Sequence, residues 1–528
     1  MKYEVLKMPS DFLRNLNESD FIKKSLYYIS DDENIISSFF KKDELYPVSK
    51  TNHYIKAVDK IKELINSDKK ILISGDYDCD GICATTLLYR YIKSKHDKVA
   101  YYIPHRKNDG YGLSVKLVNM YAEKNYEAII CVDNGVVAHE AIAHALSLGI
   151  EVIVLDHHEM DEKTTSYEYV LHPLLMEEPY HYLCGTGVVF EVLRSLKEVD
   201  EYDVILAALA AISDMMVIVY ENRSVVRLGL TYLNRNRDIH LVTLAEGCDV
   251  IDENTLAMRI APKINAVGRM YDLANANNLI KYLLSENTQE VLQTSTQILR
   301  VNDERRKVTR STTSQVASKL DLDNSYLLVA DKIHEGIVGL IASNLVNTYD
   351  KVSIVLSEED GIYKGSCRSV AGVDLVDMMR NCSLLETFGG HKQAGGLALR
   401  LENLEPFKEY ISHYLSENEI VEETKYVIDV SKEIVRLNDA ILLNSLRPFL
   451  RVQQEPLYLI SNLPFDEAIL MKEGKHAKWV LNEDSEVVYF NVNDEVRNRN
   501  GVNYICKIGI NEFRGKKKIS FQVIDYFI

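Results

Sequence analysis

The chain has 528 residues, 46% hydrophobic and 26% charged, enough for roughly three to four domains with ample core. Its formal charge of −17 excludes a protein that coats nucleic acid indiscriminately, because polyanion binding is driven by basic surface, yet screening beyond about 8 Å leaves room for local basic patches. Eight cysteines without a CxxC pair exclude a disulfide framework and a zinc knuckle, and the lack of a signal core or an apolar run of membrane-spanning length makes the cytoplasm the expected location.

Residues 1 to about 50 read as an N-terminal cap of mixed helices in which nothing suggests chemistry. From about 51 to 225, short β-branched runs closed by polar residues alternate with helical patterns, which indicates parallel βαβ units. The first run, ILISGDYDCDGICATT (71–86), carries Asp76, Asp78 and Asp80 at every second position after an apolar strand. In extended backbone alternate side chains point the same way, so the three carboxylates can converge. Taken alone, the triplet reads equally well as an acidic, solvated turn. Cys79 and Cys83 beside it read as small fillers.

Two further runs end alike. YEAIICVDN (126–134) closes on Asp133, and GIEVIVLDHHE (149–159) closes on Asp156, His157 and His158. Ligands of such sheets gather at the carboxyl ends of the strands, so these acids and imidazoles share one rim. The helical stretch Tyr202 to Met216 then delivers Asp214 at the end of LAALAAISD. Converging anions repel one another unless a cation is present, and hard oxygen ligands suit Mn²⁺ or Mg²⁺. Asp76, Asp78, Asp80, Asp133, His157 and Asp214 supply enough donors for two divalent ions that share a bridging carboxylate.

Residues 226–323 read as a helical linker. Within it, 287–320 contains neither Gly nor Pro and repeats apolar residues at Val291, Ile298, Val301 and Val308, the pattern of a long amphipathic helix. A second, smaller α/β lobe spans about 324–412 and has two glycine-rich points, KGSCRS (364–369) and FGGHKQAGG (388–396). Glycine pairs by themselves indicate ordinary turns, although successive backbone N–H groups there can also form an anion-binding nest. From about 420 to 528, short strand patterns such as EVVYFNV and KISFQVI, with NEFRGKKK as a hairpin turning at Gly515, suit a small β-barrel. Trp479, Tyr489, Phe490 and Phe513 are candidates for stacking on bases, against the commoner role of strand aromatics in a core.

GDYDCDG (75–81), CVDNG (131–135), LDHHE (155–159) and the Asp214 segment resemble the DHH phosphoesterase superfamily, most closely its RecJ branch of single-strand-specific 5′ to 3′ exonucleases. YIPHRKNDGYGLS (102–114), APKINAVGRM (261–270), IHEGIVGLIAS (333–343), KGSCRS and FGGHKQAGG follow in the family's order. The resemblance implies a DHH metal-binding catalytic domain over 51–225, a long helix joining it to a DHH-associated substrate-binding domain over 324–412, and an OB-fold-like domain over 420–528. It implies catalytic roles for Asp133 and His158, the latter contacting the scissile phosphate or assisting proton transfer. Arg106, Arg269, Ser366 and Arg368 would hold the 5′ phosphate and nearby backbone, with His391 facing the cleft.

The expected activity is therefore metal-dependent hydrolysis of single-stranded DNA from its 5′ end, in repair and recombination. The alternatives are a DHH phosphodiesterase of short oligonucleotides or cyclic dinucleotides, and an RNA exonuclease, since no residue reports on a 2′-hydroxyl. The expected state is a monomer, with a helicase or a single-strand-binding protein as candidate partners. The chain departs from the commoner RecJ pattern in lacking a proline and second carboxylate after Asp214, in Ser74, and in Lys392 and Gln393.

Overall fold

The computed structural model describes residues 2–418, 424–452, 454–497, 499 and 501–527; the expected start of the C-terminal domain at 420 falls outside them. Two compact units emerge, one of residues 47–214 and 228–423, the other of 1–46, 215–227 and 424–528.

The first unit opens on a five-stranded parallel sheet in the order Val99–Tyr102, Ile71–Ser74, Ala128–Val132, Glu151–Leu155, Val170–Leu171. Every residue of Ile71–Ser74 and of Ala128–Val132 is buried, as a parallel sheet covered on both faces requires. In register, Ser74 lies beside Cys131, and Val132 beside Leu155. The residues that follow these strands therefore emerge at one rim.

A helix of 30 residues, Thr288–Ala317, spans about 45 Å at 1.5 Å per residue and leads to a second five-stranded sheet. Its strand order is Leu385–His391, Ala394–Arg400, Ile362–Arg368, Val352–Glu359, Tyr326–Asp331, antiparallel except for the last pair. The glycines of FGGHKQAGG form no nest. Gly389 faces Gly396 and Gly390 faces Gly395 across a tight hairpin, so their backbones belong to a sheet ladder. At Gly390, with φ +151°, a Cβ would lie 2.4 Å from the Ala394 carbonyl oxygen. Close cross-strand approach, not anion binding, explains that glycine.

The second unit corrects the expectation of a separate N-terminal cap. Lys2–Val5 is a strand, parallel to Thr424–Asp429 at one end of an eight-stranded mixed sheet. The helix Asp20–Ile29 turns Phe21, Ile22 and Leu26 into the same apolar core as Tyr458, Trp479, Tyr504 and Phe521. Asn503–Phe513 and Lys516–Phe527 form the expected hairpin around Arg514 and Gly515, both at positive φ, as a two-residue turn of matching twist demands. Trp479 and Tyr489 are buried core residues, whereas Phe490 and Phe513 are 48% and 69% exposed.

Candidate metal centre

Asp76, Asp78 and Asp80 do converge on the rim, but not by strand alternation. The strand ends at Ser74, and Asp78 is already the N-cap of the helix Cys79–Lys93, accepting from the Gly81 N–H at 3.0 Å. The turn from strand to helix splits the triplet. Asp76 and Asp78 group with Asp133, while Asp80 groups with His157 and Asp214; a third group joins Asp133 to His157 and His158. In each group one ligand atom per residue lies within 4.8 Å of the others. Asp214 terminates the helix Glu201–Ser213 as its C-cap rather than lying within it. Asp133 and His157, each a member of two groups, stand at the centre.

The chemistry of this donor set fits divalent cations. His157 Nε2 lies 3.2 Å from Asp133 Oδ1, 3.6 Å from Asp214 Oδ2 and 3.7 Å from Asp80 Oδ2. Asp76 Oδ1 and Asp133 Oδ1 are buried and accept no hydrogen bond, an arrangement that is costly unless a ligand satisfies them. Burial, and then the charges of neighbouring aspartates, hold Asp76 and Asp133 well above the usual carboxylate range and push Asp214 up to about 8. Burial also lowers the His157 pKa, which keeps the imidazole in its neutral, ligating form.

Several supports of this cluster escaped the sequence reading. Gly185 and Thr186, the first residues of the helix Gly185–Leu196, donate their N–H groups to the two oxygens of Asp80 at 2.8 Å each, where the helix N-terminus favours an anion. A Cβ on Gly185 would lie 2.5 Å from Asp133 Oδ1, so only glycine fits there. Asn265 accepts from the Cys79 N–H at 2.7 Å, and a Cβ on Gly268 would meet the Tyr77 carbonyl oxygen at 2.4 Å. The APKINAVGRM string thus braces the turn that bears the aspartates. Asp133 itself sits at φ 59°, a left-handed conformation rare outside glycine.

Asp156 lies behind the cluster. Its oxygens accept from the backbone N–H groups of Val136 at 3.0 Å, His157 at 2.7 Å and His158 at 3.2 Å, and Oδ1 lies 2.8 Å from His158 Nδ1. Burial alone would raise its pKa, but these hydrogen bonds and the imidazoles bring it down to about 2. The reciprocal effect on His158 overcomes its own burial and raises its pKa to about 9. His158 Nε2 meets the Tyr111 hydroxyl at 2.9 Å. The signals for these supports were present, as a carboxylate ending a strand and a tyrosine between two glycines.

The expected phosphate holders fall into pairs. Arg106 lies over the Tyr77 ring, 5.2 Å from its centroid, and its Nε is 3.5 Å from Glu335. Arg269 donates weakly to the Gly336 carbonyl at 3.4 Å, and burial followed by the Arg106 charge lowers its pKa to about 10. On the smaller lobe, Arg368 donates to the Ser366 hydroxyl at 2.7 Å and to that of Ser343 at 3.2 Å. His391 stands apart at the hairpin tip, 76% exposed, with Nδ1 3.4 Å from Glu159 of the metal-bearing lobe.

Comparison with known proteins adds to this geometry. The family model described as the DHH family, N-terminal domain, matches residues 70–213; the DHHA1 domain matches 323–417, and the RecJ OB domain matches 428–525. The chain is 30% identical over 494 residues to the single-stranded-DNA-specific exonuclease RecJ of Bacillus subtilis, covering 89% of this chain and 62% of that protein. It is 28% identical over 432 residues to the protein of the same name from Thermus thermophilus, covering 80% and 63%. The chain thus spans somewhat over three fifths of the length of these two relatives. The crystal structure of RecJ in complex with Mn²⁺ from Thermus thermophilus shares the fold, with a TM-score of 0.85 at 23% identity over 100% of this chain and 79% of that one.

Proposed function

The chain belongs to the DHH phosphoesterase superfamily, in its RecJ branch, and from that premise we propose that it is a metal-dependent exonuclease hydrolysing single-stranded DNA from the 5′ end. The observation that carries the reading is the pair of donor groups, Asp76/Asp78/Asp133 and Asp80/His157/Asp214, drawn together by His157 near Asp133. Asp76, Asp78, Asp80, Asp133, His157 and Asp214 would hold Mn²⁺ or Mg²⁺. Such a pair of ions, when bound, supplies a hydroxide nucleophile and neutralises charge on the phosphate.

The chain's own residues do the rest. Asp156 holds His158 protonated, so that its Nε2–H can be given up by Tyr111 and directed at a scissile phosphate oxygen or the departing 3′ oxygen. Arg106 would exchange Glu335 for the terminal phosphate, whose charge Arg269 shares. Arg368, with Ser366 beside it, presents a planar fork to the next phosphodiester from the opposite lobe. His391, tied only loosely to Glu159, is free to turn toward the strand. The exposed Phe490 and Phe513 of the C-terminal domain, which extends from about 420 to 528, offer faces for bases.

A monomer working in the cytoplasm, with a helicase or single-strand-binding protein supplying its strands, completes the proposal. No helix among the described residues is long and apolar enough to cross a membrane. The test is purified protein with Mn²⁺ on 5′- and 3′-labelled single and double strands of DNA and RNA, beside Asp133→Ala. Mononucleotides released only from the 5′ end of single-stranded DNA, and none by the variant, are expected. Activity confined to dinucleotides, or equal on duplex, would overturn it.

A further inference from the structure

We infer that the groove between the helices Thr288–Ala317 and Val338–Tyr349 is a second phosphate-binding site, taking a phosphodiester of the strand or the phosphate of a nucleoside monophosphate. The nucleotide nature of this ligand rests on the exonuclease reading; the groove's affinity for phosphate does not. Its cavity measures about 610 Å³, within the roughly 300–1,000 Å³ of pockets that enclose small ligands. Arg305, Arg306 and Arg310 line one wall, and Asn344, Asn347 and Thr348 the other. No carboxylate is among the lining residues, although the chain as a whole carries −17. The stretch 300–310 supplies this local excess, with five arginines and lysines against two acids.

The floor of the groove is polar and unpaired. Thr309 is 8% exposed, and its hydroxyl, that of Thr313 and the Nε of Arg305 are buried without a hydrogen-bond partner. These residues and Arg310 recur at three- and four-residue steps, so they share one helix face. A helix that packs only for stability would place apolar side chains there. Instead the face presents fixed hydroxyls below two exposed guanidiniums, Arg306 and Arg310, the combination that grips a phosphate through bidentate and hydroxyl contacts. Arg305 is also one of the cations that lower the Arg269 pKa, which ties this groove electrostatically to the arginines beside the metal centre. Leu340 and Leu345 add apolar surface for a sugar or base edge.

The test uses the full chain with Mn²⁺ and the double variant Arg306→Ala/Arg310→Ala, neither residue being part of the metal or 5′-phosphate sites. If the occupant is the strand, KM for a long labelled deoxyoligonucleotide rises about tenfold with kcat unchanged, and the slope of log affinity against log salt falls by about 1.4, near 0.7 for each lost contact. If the occupant is the released nucleotide, the strand KM stays and inhibition by added deoxynucleoside monophosphate is lost. Either result supports the site. KM, salt slope and inhibition all at wild-type values overturn it. Should the double variant unfold, judged by its melting temperature, Arg310→Gln replaces it with an expected slope change of about 0.7. Should the wild type degrade no strand, the exonuclease reading fails separately; fluorescence anisotropy with the same oligonucleotide, competed by inorganic phosphate, then decides the groove, and equal binding by wild type and variant sinks it.

Discussion

Asp156 lies outside the three donor groups and yet governs His158, a member of one of them. Replacing it by Asn can keep the bonds that Oδ1 accepts from the His157 and His158 N–H groups, but it puts an NH2 where Oδ2 accepts from Val136 and removes the charge that orients and protonates His158. We expect kcat to fall about 10- to 100-fold, as for other residues behind a metal site, with strand KM little changed. A rise in KM at constant kcat would contradict this positioning role. The raised carboxyl pKa values carry a second prediction. Asp214 titrates at about 8 in the folded chain against about 3.9 unfolded, so between these values the folded state holds a proton that the unfolded state has released. Stability therefore falls as pH rises from about 4 to 8 when chelator is present. Divalent cations replace that proton, so the melting-temperature gain from Mn²⁺ over EDTA should be larger at pH 8 than at pH 5.5. Equal gains at both would refute it.

At the scale of elements, two helix beginnings hold the aspartates. The Cys79 N–H of one is taken by Asn265, and the first N–H groups of the other are taken by Asp80. Asn265→Ala removes a cap-like bond worth about 1 kcal/mol and loosens the turn, so Mn²⁺ titrations of activity should show affinity weakened roughly 10-fold while the fold persists. Gly185→Ala is harsher, because its methyl group would collide with both the side chain and the backbone of Asp133. Activity at saturating Mn²⁺ should drop at least 100-fold, and an active variant would show that the helix can retreat. Strand ends, the 30-residue helix and the C-terminal hairpin were legible beforehand because periodicity and turn chemistry are local. The mode of convergence of the aspartates was not. A DxDxD string written as a strand or as a strand-to-helix turn looks the same until the Gly81 and Gly268 contacts with Asp76 and Tyr77 are known.

Across the whole molecule, the N- and C-terminal segments form one unit. Phe21, Ile22 and Leu26 share a core with Tyr458 and Phe521, and burying each such side chain contributes roughly 1.5–3 kcal/mol. Deleting 424–528 alone would uncover that face, so the truncated chain should aggregate on size exclusion. A soluble monomer from that deletion would show that the N-terminal segment stands alone. The candidate metal donors were determined by the sequence itself, because ligand chemistry resides in side-chain type and the burial pattern of each strand predicts where it ends. The tertiary structure alone decided how those donors divide into groups, that Gly185 and Asn265 hold them in place, and that Lys2–Val5 pairs with Thr424–Asp429. Those contacts join residues far apart in the chain, and no local pattern of hydrophobicity or turn residues encodes a partner at such a distance.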